Sequence, residues 1–222
     1  MSGVRLWALW VGAVLAAGAV ALGIAFGAGR LAAAAVGAPT TLAARGAELS
    51  LGVAAGALQG AIFGFAQAAV LRRALPRVGR RAWIGATAAA GALGWLIGAI
   101  PVSVLAAADR AGPPVTPPLV VMLGAGAALG LVLGALLGGA QWLVLRRAAR
   151  RQPLGAAGWI VANALGWAAG LALIVLGAAA LQRDAKIETV ALVMAGCGAL
   201  AVLVLGAVTG WALVRIARRA AP

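Results

Sequence analysis

The 222-residue chain has no histidine and no tyrosine, a single cysteine, and only four acidic residues. Without histidine there is no imidazole base, no Ser/His or Cys/His nucleophile pair, and no histidine-held metal or haem. Cys197 stands alone inside an apolar run, which excludes an internal disulfide and reads as a small buried hydrophobe. The acids Glu48, Asp109, Asp184 and Glu188 all fall near predicted helix ends, so no carboxylate stands in the middle of an apolar run. Proton-coupled carriers, voltage sensors and intramembrane hydrolases generally rely on such a group, and its absence counts against them. No cofactor is expected.

Apolar surface is what the chain has in excess. Apolar residues make up 64% of it and charged residues 10%, where a soluble domain has roughly half and a quarter. A helix needs about 20 apolar residues to cross the hydrocarbon of a bilayer. Six stretches qualify, approximately Leu6–Gly29, Leu49–Leu71, Trp83–Ala108, Leu119–Leu145, Gly155–Leu181 and Ile187–Val214. The expected fold is all-α and integral to a membrane, one domain over residues 1–222 with six transmembrane helices.

The basic residues are unevenly shared between the two ends of these helices. Thirteen fall on one side: Arg5; Arg72, Arg73, Arg77, Arg80 and Arg81; Arg146, Arg147, Arg150 and Arg151; Arg215, Arg218 and Arg219. The other side receives Arg30, Arg45, Arg110, Arg183 and Lys186, together with all four acids. An excess of arginine in short links predicts a cytoplasmic face, here carrying both termini. The net charge of +14 then reads as topology and as contact with anionic lipid headgroups at the two arginine-rich links, at about 1 kcal/mol per basic residue. Nucleic acid is not an expected partner, because no aromatic platform stands between the arginines. Trp7, Trp10, Trp83, Trp142, Trp159 and Trp211 lie near the same ends, where indoles are expected at headgroup level. Trp95 and Trp167 lie deep and are expected to pack.

A shift of 74 residues aligns Gly56, Gly60, Gly64, Gln67, Val70, Leu71, Arg72 and Arg73 with Gly130, Gly134, Gly138, Gln141, Val144, Leu145, Arg146 and Arg147. Eight matches at fixed spacing mark an internal repeat. The last helix carries a worn copy, with Gly206 and Gly210 in place but Leu213 where the glutamine should be; Gly23 and Gly27 are fainter candidates in the first helix. The intervening helices repeat as well: Trp83, Ala86 and Thr87 match Trp159, Ala162 and Asn163, and Trp10 matches Trp83. The pattern predicts three tandem hairpins, approximately residues 6–73, 83–147 and 155–219, pseudo-three-fold about the membrane normal.

At 100° per residue, Gly56, Gly60, Gly64 and Gln67 fall within about 80° of one another on a helix. Such a face lets two backbones approach closely, which is how helices associate where apolar burial drives nothing. Gln67 and Thr87 have matching depths, as do Gln141 and Asn163, so interhelical pairs Gln67–Thr87 and Gln141–Asn163 are expected, each worth about 0.6 to 2 kcal/mol. Gln59, Ser103 and Thr209 carry no pattern. The prolines at 113, 114, 117 and 118 predict an extended external link, and Pro101 a kink.

The repeated GxxQWLVLRR element, seen as Gly138 to Arg147 and more loosely as Gly64 to Arg73, followed by Trp-Ile-x-Ala at Trp83 and Trp159, resembles repeats in multi-spanning membrane proteins of cyanobacteria and other bacteria. The likeness covers the central four helices. It implies a bacterial inner-membrane address and carries no activity, substrate or catalytic residue with it. Two functions follow from these residues. The first is a non-enzymatic accessory or scaffold subunit that packs against lipid or another membrane protein through its glycine faces. The second is a small-solute or lipid carrier, similar in size and span count to the substrate-binding subunits of vitamin transporters. A polar cavity reaching the two glutamines and Asn163 would mark the carrier.

Overall fold

In hydrocarbon no water is present to bond a backbone N–H or C=O, so an apolar run must satisfy its own peptide groups, and the α-helix does so within one segment. The computed structural model describes residues 1–36, 41–111, 117–148, 154–182 and 184–220. Among them stand six helices and no strand: α1 (Gly3–Val36), α2 (Leu42–Ala74), α3 (Arg80–Ala111), α4 (Leu119–Ala148), α5 (Leu154–Ala179) and α6 (Ile187–Ala220). All six are long and apolar enough to span a membrane. Several overrun the apolar stretches at their ends, because Ala and Arg there are strong helix formers. The helix of α3 runs through Pro101. The acidic-end residues 113, 114 and 183, and Arg150 and Arg151 at the other end, lie outside the described residues.

The helix termini use local chemistry. Thr41 caps α2 from an extended conformation, its hydroxyl accepting from the Ala44 N–H at 3.1 Å. At the far end the Leu75 N–H reaches the Leu71 carbonyl, and Pro76, which has no N–H to donate, stops the helix. Leu75 and Val78 of this link turn inward and are buried.

The helices close into a ring in chain order, with α1 packed against both α2 and α6. The closest pairs are α4 with α5 and α2 with α3, and the loosest joint of the ring is α3 with α4. Close packing therefore joins the two intact glycine-striped helices, α2 and α4, to the helices that follow them, whereas α6 packs more closely on α5 than on α1. This departs from the hairpins expected from the repeat, in which α3 and α4 belong together. A ring of six can be cut at either phase, and the glycines fall on the faces that meet across the arginine-rich links. The contiguous core, Leu6, Trp10, Val14, Leu71, Trp83, Leu145, Trp159 and Leu213 among its members, lies wholly at the end bearing the termini and those links.

Candidate functional site

Glycine fixes how near the elements of the site come to one another. On α2, a Cβ at Gly60 would collide with the Thr87 carbonyl oxygen, and one at Gly64 would stand 2.9 Å from the Ile84 Cα. On α4, Gly134 meets the Asn163 carbonyl oxygen and Gly138 stands in the same relation to the Ile160 Cα, at 2.9 Å. Gly56 and Gly130 face Gly91 and Trp167 backbone in the same two pairs. On α6 the approach is to side chains of α1: Gly206 to Val14 at 3.3 Å and Gly210 to Trp10 and Trp7 at 3.0 and 3.1 Å. All eight of these glycines are buried. They are used inside the chain, where helices approach closely, and are not faces turned to lipid or to another membrane protein. Gly23 and Gly27 have open space where a Cβ would stand and take no part.

This proximity brings a polar cluster together in the core. Gln67, Thr87, Gln141, Asn163 and Thr209 are buried, Gln141 completely. An indole N–H can only donate, so each tryptophan turns an amide oxygen toward itself. Trp83 Nε1 donates to Gln67 Oε1 at 3.2 Å and Trp159 Nε1 to Gln141 Oε1 at 3.1 Å. With its oxygen held, Gln141 points its NH₂ across the bundle, donating to Gln67 Oε1 and to Thr87 Oγ1, both at 3.1 Å. Thr87 Oγ1 in turn donates to the Trp83 carbonyl at 2.9 Å, and Asn163 Nδ2 to the Trp159 carbonyl at 3.0 Å. The four expected residues thus gather, but with other partners: Gln67 bonds Trp83 and Gln141 rather than Thr87, and Gln141 reaches Thr87 rather than Asn163. Equal depth was read as direct pairing between α2 and α3 and between α4 and α5, whereas the two glutamines meet each other at the centre.

The third sector is apolar where the others are polar. Leu213 occupies the glutamine position and Val14 the position of Thr87 and Asn163, both fully buried. Its tryptophan, Trp10, still needs an acceptor and finds one a turn earlier, donating to Thr209 Oγ1 at 2.9 Å. Trp10 and Trp83 both stand edge-on to Trp159, with centroids 5.6 and 5.9 Å away. Trp10, Trp83 and Trp159 are therefore centre-of-bundle residues, not the headgroup-level indoles expected of them, and Thr209 does have a place in the pattern. Their signal in the sequence was the repeat itself, since an interfacial indole has no reason to recur in register with Gly, Gln and Thr. Gln59 also has a role, accepting from Trp95 Nε1 and donating to the Ala21 carbonyl, each at 2.8 Å, so that α1, α2 and α3 are tied at mid-depth.

The described arginines of the two links, Arg72, Arg73, Arg77, Arg80, Arg81, Arg146 and Arg147, are all exposed. Two lie over aromatic rings, Arg80 over Phe65 at 4.5 Å and Arg146 over Trp142 at 5.2 Å. Two open grooves lie on the flanks of the bundle, one between α3 and α4 and one between α1 and α6, and neither is lined by a member of the polar cluster. Comparison with models of protein families, with curated proteins and with solved structures finds no match to this chain.

Proposed function

We propose that the chain is a non-enzymatic integral membrane protein, an accessory or scaffold subunit of a bacterial inner membrane, with both termini and the arginine-rich links on the cytoplasmic side. The observation that carries this reading is the inward closure of its polar groups. Gln67 is 7% exposed, Thr87 2%, Asn163 3% and Gln141 not at all, and their bonds run to one another and to tryptophan. A site for a polar solute turns a few convergent polar groups toward a space, whereas these bond one another and none of them lines either groove on the flanks of the bundle. The repetition of tryptophan beside its acceptor in all three sectors supports a pseudo-three-fold order about the membrane normal. Anionic lipid headgroups are the partners that suit the exposed arginines, since the acids of the chain stand at the opposite helix ends.

Replacing Gln141 by Leu separates a structural role from a solute site. Three side chains lose a bond to Gln141, and of these the buried Trp159 N–H is left with no partner, at about 1–3 kcal/mol for a group left unsatisfied. The variant is expected to melt well below the parent in detergent, with no change in small molecules retained through purification. A variant that melts like the parent while losing a co-purified solute would establish a carrier instead. For a lipid carrier one observation speaks: the groove of about 410 Å³ between α3 and α4, lined by Ala89, Ala90, Leu93, Leu136, Gly139 and Leu143 among others, is apolar and open on its outer side.

A further inference from the structure

Charge is segregated along the bundle. Glu188 opens α6 and Arg218 and Arg219 close it, about 45 Å of helix away. Glu48 lies near the start of α2, Asp109 near the end of α3, and Asp184 just before α6, all at the same end as Glu188. The arginine end must draw its counter-ions from outside the described chain.

At that end α1 and α6 form a groove of about 210 Å³ lined by Gly3, Val4, Trp7, Trp211, Val214 and Arg218. Its walls are fixed by specific contacts. Trp7 is held by a bond from Nε1 to the Ala207 carbonyl at 3.0 Å. Trp211, 58% exposed, carries the Arg215 guanidinium 4.3 Å above its ring. Gly3 makes room for Arg218: a Cβ there would lie 2.9 Å from a guanidinium nitrogen and 3.0 Å from the Val214 Cγ1. Residues 211, 215 and 218 are spaced to share one face of α6, so both cations lie beside the groove.

The geometry points to a binding site for a single anionic phospholipid at the α1–α6 seam. Arg218 takes the phosphate, for which the planar guanidinium offers two parallel donors, and Arg215 stands beside it. The exposed Trp7, Trp211 and Val4 receive the glycerol and the first methylenes, the mixed polar and apolar depth at which indoles reside. A second copy of this chain is a poor occupant, because it would bring like charge to the same seam. The inference deepens the lipid contact proposed above by naming one site, on helices that reading had not singled out. It rests on residence in a bilayer and not on which side the arginines face.

Native mass spectrometry of the purified protein with an equimolar mixture of phosphatidylglycerol and phosphatidylcholine tests it. The parent is expected to retain one phosphatidylglycerol in preference. Arg218→Gln should weaken retention about fivefold, the worth of one basic residue near an anionic surface. Gly3→Leu, which fills the groove and keeps every charge, should abolish the preference, and Trp211→Ala, at an exposed position, should reduce it without touching the core. The double variant Arg72→Gln/Arg73→Gln should leave it unchanged. Equal retention of the two lipids by the parent would overturn the site, as would equal loss from the Arg72/Arg73 and Arg218 variants, which would show diffuse surface charge. Thermal midpoints of all variants identify any loss that comes from unfolding. An inverted topology with intact lipid preference would refute the orientation and leave the site standing.

Discussion

A buried indole N–H constrains its surroundings more tightly than the apolar ring attached to it, because the donor left unpaired costs about 1–3 kcal/mol. The three central tryptophans meet that demand in two ways: by a glutamine for Trp83 and Trp159, and by Thr209, one turn earlier, for Trp10. The third sector is thus a natural version of the Gln141→Leu change, with Leu213 already at the glutamine position. In α4 the position matching Thr209 is Leu137, partly buried. Adding Leu137→Thr to Gln141→Leu should give Trp159 an acceptor and recover about 1 kcal/mol of the loss, by the interhelical hydrogen-bond scale. Thermal unfolding of the single and double variants in the same detergent checks this; a double variant no more stable than the single would show that the two sectors are not interchangeable. The identity of the buried polar residues was legible in the sequence because amides and hydroxyls are rare in apolar runs and repeat in register. Their partners were not, since sequence spacing gives depth along a helix and says nothing about which helices converge at the centre.

Between elements, the decisive quantity is the distance at which two backbones settle, and glycine sets it where no side chain could fit. Gly134 and Gly60 meet backbone atoms of α5 and α3, so enlarging them must push whole helices apart. Gly23, on the same chemistry, faces open space. Gly134→Val is expected to destabilise the bundle by several kcal/mol, beyond the usual 1–3 kcal/mol for overpacking, because backbone rather than a side chain must yield. Gly23→Val should fall within about 0.5 kcal/mol of the parent, as substitutions away from such contacts do. Denaturant or thermal unfolding of the pair decides it, and similar stability for both would mean that the close approach at Gly134 is not what holds α4 to α5. The stripes themselves were readable as a 4-residue period. The pairs Gln67–Thr87 and Gln141–Asn163 already set α2 against α3 and α4 against α5, but the grouping into hairpins did not follow the tightest packing, because tandem repetition suggests a hairpin and a closed ring can be cut at either phase. The decayed copies were the reliable warning: Gly206 and Gly210 meet side chains of α1, Val14 and Trp10, where the intact stripes meet backbone, so their surroundings differ as their sequence does.

For the molecule as a whole, polarity along the membrane normal is the organising feature. Core, polar cluster and thirteen of the eighteen basic residues share one end, while the acids and the Thr41 cap stand at the other. Both termini come to the arginine end because six helices run alternately, and Gly3 beside Arg218 places them together. A basic face in contact with anionic cytoplasmic lipid and a positive-inside bias on insertion act in the same sense, so the arginine end is expected inside. In a Cys197→Ala background, Lys186→Cys should react with a membrane-impermeant maleimide in intact cells, whereas Arg77→Cys, exposed in the link between α2 and α3, should react only after lysis. Removing Arg77 lowers the bias from thirteen against five to twelve against five, too little to invert it, and removing Lys186 strengthens it. Labelling of Arg77→Cys in intact cells would place the arginines outside, and the polar core would then lie beneath the outer leaflet, with the charge segregation left in want of a different cause.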